Sequence, residues 1–584
     1  MGKTDLFISK IKGVENAEFI SVRFKGYNER IRKEGSTCPL WNVCGFCACK
    51  NRMKTIYCNG TILKMDGKEN GDSAVFVEDG KIVGIGDLQK LKEMAGSEAE
   101  IYDLKGKTLM PAFVDSHSHI TMAAQMSMFA DLSECASFDQ IVLKLKEYAK
   151  EKPEQKMIIG FGYDHNVLEE RQHPNRDILD QVSKDTPVFI IHVSGHMGVV
   201  NSAGLKLIGI TEETKDPEGG RIGRFQDSNI PDGYMEEGAL VMLQGGLAEF
   251  METDIVSAMQ KAQNTYLQNG ITTVQDGAAS VQTITLLRTL AEKGLLNLDV
   301  VAYPIMTDSS IPPISEEDLK YKNHFRLGGY KIILDGSPQG KSAWLSVPYQ
   351  NENGKKGYPW MTDQNVLECC KRAVAEERQL LAHCNGDAAS EQFLDCYEKA
   401  AAECGGQEKD LRPVMIHCQT VREDQIERMS KIPMIASIFV GHVYYWGDVH
   451  LENLGEQRGM SISPAGTALK HNVCITFHQD TPVTKPNMLH SVFCAVKRRT
   501  RKGILLDQKE CISVYEALKA VTIQAAYQYH EEEKKGSIAV GKNADFIILN
   551  KDPMSTEESD WNNIRIDVTI KDGKIVYTRD CFDH

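Results

Sequence analysis

The chain has 584 residues and a formal charge of −14, from 67 basic and 81 acidic side chains, with 42% hydrophobic and 25% charged residues. These proportions are those of an ordinary globular protein and exclude a disordered or fibrous chain; the negative balance argues against non-specific binding to nucleic acid or to anionic membranes. No run of about 18 uninterrupted apolar residues occurs, so no bilayer-spanning segment is expected.

The first segment, residues 1–54, opens MGKTDLFISKIKG without the apolar region of a secretory signal, which points to a cytoplasmic protein whose sixteen cysteines stay reduced. Four of them, Cys38, Cys44, Cys47 and Cys49, fall within a dozen residues and could hold zinc or an iron–sulfur cluster. Their C-x5-C-x2-C-x-C spacing matches no common motif, and the alternative is unliganded thiols. Residues 55–108 carry short alternating apolar runs broken by Asp-Gly turns, and residues 536–584 do the same, so hairpins are expected at both ends. Together they predict one small composite β-sandwich.

Between 109 and 535 short apolar runs alternate with amphipathic helical ones, the pattern of βαβ units and a parallel sheet. Eight strands fit: Leu109–His119, Ile271–Asp276, Leu298–Pro304, Tyr330–Asp335, Leu380–His383, Val414–His417, Met434–Phe439 and Cys474–Asp480. Eight closes a (β/α)8 barrel of TIM type. The stretch at about 121–270 is too long for one crossover and reads as an insertion over the barrel mouth. Its middle, DPEGGRIGRFQDSNIPDGY, reads as a loop or lid.

The chemistry sits at predicted strand ends. His117 and His119 share one face of the first strand, since side chains repeat every two residues, and two imidazoles so spaced can grip one metal ion. His383, His417 and Asp480 end the fifth, sixth and eighth strands, at the rim where such barrels place catalytic groups. Four histidines and a carboxylate suit zinc or another first-row divalent ion; the alternative is a set of hydrogen-bonded capping histidines. Lys331, on the fourth strand, would be desolvated beside a metal and hence an unprotonated amine able to take up CO2 as a carbamate, the alternative being an ion pair with Asp335.

The pieces MPAFVDSHSH, GYDHNVLEE, HVSGHMGVVNSAGL, GGYKIILDGS, LAHCNGDAA, VMIHCQ, HQDTPV and GSIAVGKNADFIILNKDP, in this order over about residues 55 to 555, resemble the amidohydrolase superfamily. The branch they are similar to is amidohydrolase 3, or YtcJ-like, which includes N-substituted formamide deformylases. The resemblance implies His117 and His119 as ligands of a first metal, Lys331 as a carbamylated bridge, His383 and His417 as ligands of a second, and Asp480 as metal ligand and proton shuttle. The implied activity is hydrolysis of a non-peptide C–N bond in an amide, formamide or cyclic amide. Alternatives on the same fold are a mononuclear deaminase or isomerase of an N-heterocycle; a non-catalytic metal- or redox-binding protein is a third reading. His165, His196, His442, Arg458 and Gln339 are candidate substrate contacts, and Glu237 matches a glutamate of the family. Two places depart from the family pattern, His478-Gln479 before Asp480 and Pro338-Gln339-Gly340-Lys341 after the fourth strand. The expected partner is a small molecule; a homodimer is compatible with such a barrel, though nothing in the sequence demands one.

Overall fold

The computed structural model describes residues 53–67, 74–193, 195, 197–217, 220–247, 254–306, 311–406 and 408–579. The four clustered cysteines, Cys38, Cys44, Cys47 and Cys49, and His196 lie outside them. The chain divides into two compact units, one built on Cys135–Ile159 and Tyr163–Glu252, the other on Lys54–Glu134, Gly160–Gly162 and the chain from Thr253. The first is narrower than the 121–270 expected for the insertion.

In the larger unit eight parallel segments follow one another: β1 (Phe113–Val114), β2 (Ile271–Ala279), β3 (Asp299–Pro304), β4 (Gly329–Ile333), β5 (Gln379–Cys384), β6 (Val414–His417), β7 (Ile435–Ile438) and β8 (Ile475–Phe477). Neighbours in sequence are neighbours in space: β1, β2, β3 and the short strand Phe325–Leu327 form one sheet, and β4 to β8 form another. Phe325–Leu327 leads into β4 two residues later, and a parallel bridge between Ile305 and Lys331 joins β3 to β4. At the other side the Ser116 hydroxyl, just past β1, donates to the Phe477 carbonyl at the end of β8 (3.0 Å).

These strands are buried almost throughout, as parallel strands covered on both faces must be, which is why they read as continuous apolar runs. Val114, Val301, Tyr303, Leu381, Val414, Ile416 and Ile435 pack into one cluster with Ala525 and Tyr529. Each such side chain contributes roughly 1.5–3 kcal/mol by leaving water. Connecting helices take their ends from the sequence. Thr362 caps Asp363–Ala375 by accepting from the Asn365 N–H, and that helix buries Val366, Leu367, Cys370, Ala373 and Val374 at helical spacing.

The predicted first strand, Leu109–His119, is two strands. Thr108–Pro111 pairs antiparallel with Phe546–Leu549, in a five-stranded sheet with Thr61–Ile62, Ile566–Lys571 and Lys574–Thr578, whereas β1 pairs with β2. The boundary set at 108/109 therefore falls inside an element: the apolar run is shared by two sheets, and composition alone cannot divide it. A second sheet holds Lys54–Cys58, Ala74–Glu78, Lys81–Gly86 and Glu100–Asp103. Side chains from both sheets, among them Tyr57, Val75, Ile82, Leu109, Phe546 and Ile570, share one apolar cluster.

In the smaller unit the expected loop or lid is a hairpin, Gly220–Arg224 paired antiparallel with Pro231–Glu237. Its glycines serve close approach rather than looseness, since a Cβ on Gly220 would lie 2.2 Å from the Ala239 nitrogen. The hairpin extends an antiparallel run through Met197–Val200 to Val188–His192. Among the described residues no helix is long and apolar enough to cross a membrane, and the described cysteines are free thiols.

Candidate metal centre

The ends of β1, β5, β6 and β8 and the middle of β4 bring together the side chains that sequence places at the rim. Asp480 Oδ1 lies 3.4 Å from His117 Nε2 and 3.3 Å from His119 Nε2, and these three ligand atoms all lie within 4.8 Å of one another. The His117 ring stands 5.7 Å from that of His417, which in turn is 4.4 Å from His383. Lys331 is 1% exposed, and its Nζ has no hydrogen-bond partner. The alternative ion pair with Asp335 is not made: Asp335 accepts from the backbone N–H groups of Trp344, Asn385 and Gly386 and faces His383 Nδ1 at 3.2 Å.

Two of the candidate ligands sit on strained backbone. His417 has φ 77° and Asp480 φ 53°, the left-handed region, at a cost of order 1–3 kcal/mol each. The turn after β1 is held by its surroundings. The Ser116 carbonyl, between Asp115 and His117, accepts from Gln275 Nε2 (2.9 Å) and Gln528 Nε2 (2.7 Å), and the Tyr529 hydroxyl donates to the Asp115 carbonyl. His119 is fixed by its N–H to the Thr481 carbonyl (2.8 Å).

The residues fit a divalent cation. Gln275 Oε1 lies 2.6 Å from His117 Nδ1; a carbonyl oxygen can only accept, so the ring proton sits on Nδ1 and Nε2 presents a lone pair beside Asp480. Asp335 orients His383 in the same sense, so that Nε2, 3.4 Å from the Asn385 side-chain amide, carries the lone pair a metal would take. Burial, then the proximity of Lys331, lowers the His117 pKa well below its usual value; burial and the His383 ring do the same to His417. Neutral imidazoles are the form that binds metal. Burial opposes ionisation of Asp480, but the His119 ring beside it and the nearby His417 and His117 hold its carboxyl well below the usual carboxylate range. Burial lowers the Lys331 pKa to about 8. His417 Nδ1 and Lys331 Nζ are buried with no hydrogen-bond partner, each a cost of about 1–3 kcal/mol unless something binds there.

Sequence reasoning missed three participants. Gln275 and Asp276 lie midway along β2, beside the same centre; the sequence reading ends its second strand at Asp276, so the rule that catalytic groups end barrel strands would have pointed to that residue, which accepts from the Thr121 hydroxyl (2.6 Å) and backbone N–H (3.0 Å). Gly277 has a visible purpose, for a Cβ there would lie 2.5 Å from the His117 ring. His478, read only as a departure from a family pattern, stands 5.1 Å from the His117 ring and 5.2 Å from that of His417. It is fully buried, neither ring nitrogen has a hydrogen-bond partner, and burial lowers its pKa to about 3.

The other candidate contacts have surroundings of their own. His442 is buried against Phe439, whose ring also packs on that of His478 (5.3 Å), and its Nδ1 lies 3.1 Å from His450 Nε2. Arg458 donates to the carbonyls of Leu454, Val347 and Pro348, so it braces a loop. Gln339 keeps a buried Oε1 with no hydrogen-bond partner. His165, in the smaller unit, lies beside Asp164 and His192. Glu237 ends a strand of the hairpin.

The sequence pattern described as "Amidohydrolase family" matches residues 100–577. YtcJ of Bacillus subtilis (strain 168) is 28% identical over 549 residues, 90% of this chain and 100% of that protein. The N-substituted formamide deformylase of Arthrobacter pascens is 25% identical over 534 residues, 89% of this chain and 98% of that one. The crystal structure of an uncharacterized metal-dependent hydrolase from Pyrococcus furiosus is similar with a TM-score of 0.67 at 25% identity, covering 86% of this chain and all of that one. A family pattern that covers residues 100–577, from before β1 to past β8, and relatives matched over nearly their whole lengths, make this chain a member of the amidohydrolase family, in its YtcJ-like branch.

Proposed function

We propose that this protein is a metal-dependent amidohydrolase that cleaves a non-peptide C–N bond in a small amide, formamide or cyclic amide. The observation that carries the reading is the trio of His117 Nε2, His119 Nε2 and Asp480 Oδ1, set 3.3–3.4 Å across the acid–imidazole pairs, with the unpartnered amine of Lys331 buried in the same unit. His117, His119, Lys331, His383, His417 and Asp480 would hold one or two divalent ions, zinc by the chemistry of the donor set. An ion so held supplies Lewis-acid polarisation of a carbonyl and acidifies water. The scaffold is a (β/α)8 barrel with a composite β-sandwich made from both ends of the family region, and the compartment is cytoplasmic.

The side chains divide the work. Asp480, ionised, takes a proton from the attacking water and returns it to the leaving nitrogen, so that the amine departs neutral. Lys331, as a neutral amine, would add CO2 and release one proton to give a carbamate, which would supply oxygen donors to the same centre. Gln275 and Asp335 keep His117 and His383 in the metal-binding tautomer. Gln339, with a buried free Oε1, is the proposed polar contact to substrate. The N-formyl specificity of the Arthrobacter relative makes N-formyl amines the first class to try.

One observation favours a mononuclear variant: among the described histidines, cysteines and carboxylates of the strand-end centre, His117, His119 and Asp480 are the group of three whose ligand atoms lie within 4.8 Å of one another. A single ion there would suit deamination of an N-heterocycle. The experiment is a screen of the zinc-loaded protein against N-formyl amines, N-acyl amines and cyclic ureides, with aminated N-heterocycles as the other arm, alongside Asp480→Asn. Turnover of an amide class, falling at least about 10²-fold in Asp480→Asn while metal content is kept, is the expected result; equal turnover in the variant removes Asp480 from the mechanism.

A further inference from the structure

The smaller unit carries a second group of side chains with metal-ligand chemistry, none of which the strand-end centre uses. Asp164 and His165 follow the strand Ile158–Tyr163, and His192 ends the adjacent strand Val188–His192; the Val193 N–H to the Tyr163 carbonyl (2.9 Å) ties the two ends together. His165 Nδ1 and His192 Nε2 lie 3.1 Å apart, and Asp164 Oδ1 is 3.6 Å from the His192 nitrogen and 3.9 Å from that of His165. A point equidistant from these three atoms lies about 2.1 Å from each, the bond length of zinc to imidazole nitrogen or carboxylate oxygen.

The two imidazoles can share one N–H···N hydrogen bond, and the carboxylate oxygen faces both ring nitrogens at 3.6 and 3.9 Å, longer than a good hydrogen bond. A cation at the centre would engage all three atoms at once. The neighbours hold the donors in place. Asn166 gives both its backbone N–H (2.9 Å) and its side-chain amide (3.0 Å) to Asp164 Oδ1. His173 stacks on the His165 ring at 4.1 Å, with its own Nδ1 3.0 Å from the Tyr163 hydroxyl. His192 is 5% exposed, Asp164 15% and His165 28%, so the group is sheltered but open on the His165 side.

We propose that Asp164, His165 and His192 form a divalent-metal site of zinc type, built from residues other than the strand-end ligands and with a fourth position open to water or a small anionic ligand. Two histidines and a carboxylate are one of the ligand sets that leave zinc such an open position. Among the described residues this is the one group outside the strand-end centre whose donor atoms converge in this way.

The test uses the full chain, equilibrated with buffered zinc and then measured for zinc per polypeptide. The double variant His165→Gln/His192→Gln is expected to hold one equivalent less than the parent, while His173→Gln, which removes only the stacking ring, keeps the parent content. Equal zinc in the parent and the double variant overturns the site, and because His117 and His119 are untouched it leaves the strand-end reading standing. Should the double variant not fold, the isosteric Asp164→Asn decides: it is expected to give up one zinc equivalent to a competing chelator at least tenfold faster than the parent, and an unchanged release profile overturns the proposal.

Discussion

Two buried lysines in the larger unit show how differently one side chain can be used. Lys535, 3% exposed, donates to Asp299 Oδ2 (2.5 Å) and Thr273 Oγ1 (3.0 Å) and pairs with Glu531 Oε2 (2.8 Å). Around it Lys571 shares Asp299 and reaches Asp545, while Arg326 holds the other oxygen of Glu531. Burial alone would lower the Lys535 pKa, but Asp299 and Glu531 raise it well above the ordinary value. Lys331, buried as deeply, has no hydrogen-bond partner, and burial lowers its pKa to about 8. A network with every charge matched is structural. An amine left unmatched within a strand, beside a carboxylate and neutral imidazoles, is prepared for a partner the polypeptide does not supply.

Exchanging the roles should break this contrast in opposite directions. Lys331→Ala is expected to lower turnover by about 10²–10⁴-fold, while the stability of the metal-free protein holds or rises, because an unsatisfied buried amine costs about 1–3 kcal/mol. Steady-state kinetics and urea midpoints measure the two; loss of fold with Lys331→Ala would put it with Lys535. Conversely, Lys535→Met should cost roughly 3–5 kcal/mol by leaving Asp299 and Glu531 without their central cation, with turnover per folded molecule unchanged. A smaller effect sharpens the picture at the ligands. Gln275→Leu removes the acceptor that orients His117 and should weaken metal binding about 10–100-fold, read by competition with a chelator.

The pH dependence separates the lysines with the least perturbation. In metal-free protein the folded-state pKa of Lys331 is lowered, so the unfolded chain binds more protons between about 8 and the ordinary lysine value of about 10.4. The cost of burying that charge is fully present below pH 8 and fades as pH rises through this window. The stability difference between the parent and Lys331→Leu should shrink accordingly. Asp299 behaves the other way: Lys535 and Lys571 overcome its burial and hold its carboxyl well below the usual range. Its contribution is present above about pH 3.9 and is lost only as pH falls further.

Much of this was legible in the chain because parallel strands advertise themselves as apolar runs between helices, and because their ends are where polar residues interrupt the run. His117, His119, His383, His417 and Asp480 stand at those interruptions, and the structure gathers them. What sequence hid was of two kinds. Thr108–Pro111 and β1 share one apolar run yet belong to different sheets, a division made by hydrogen-bonding partners far along the chain. The orienting residues, Gln275, Asp335, Gln528 and Tyr529, are ordinary polar side chains whose roles arise only once distant segments meet. The glycines of 220–233 mislead in the same way, marking tight packing in a hairpin where composition reads as a loop.

The central claim, that separate strand ends build a cation-binding centre, is tested most directly by anomalous diffraction at the zinc absorption edge from zinc-equilibrated crystals of the full chain. The account predicts a peak within bonding distance, about 2.0–2.2 Å, of His117 Nε2, His119 Nε2 and an oxygen of Asp480. A map with no peak in reach of those three atoms, from protein that turns over an amide, would contradict it.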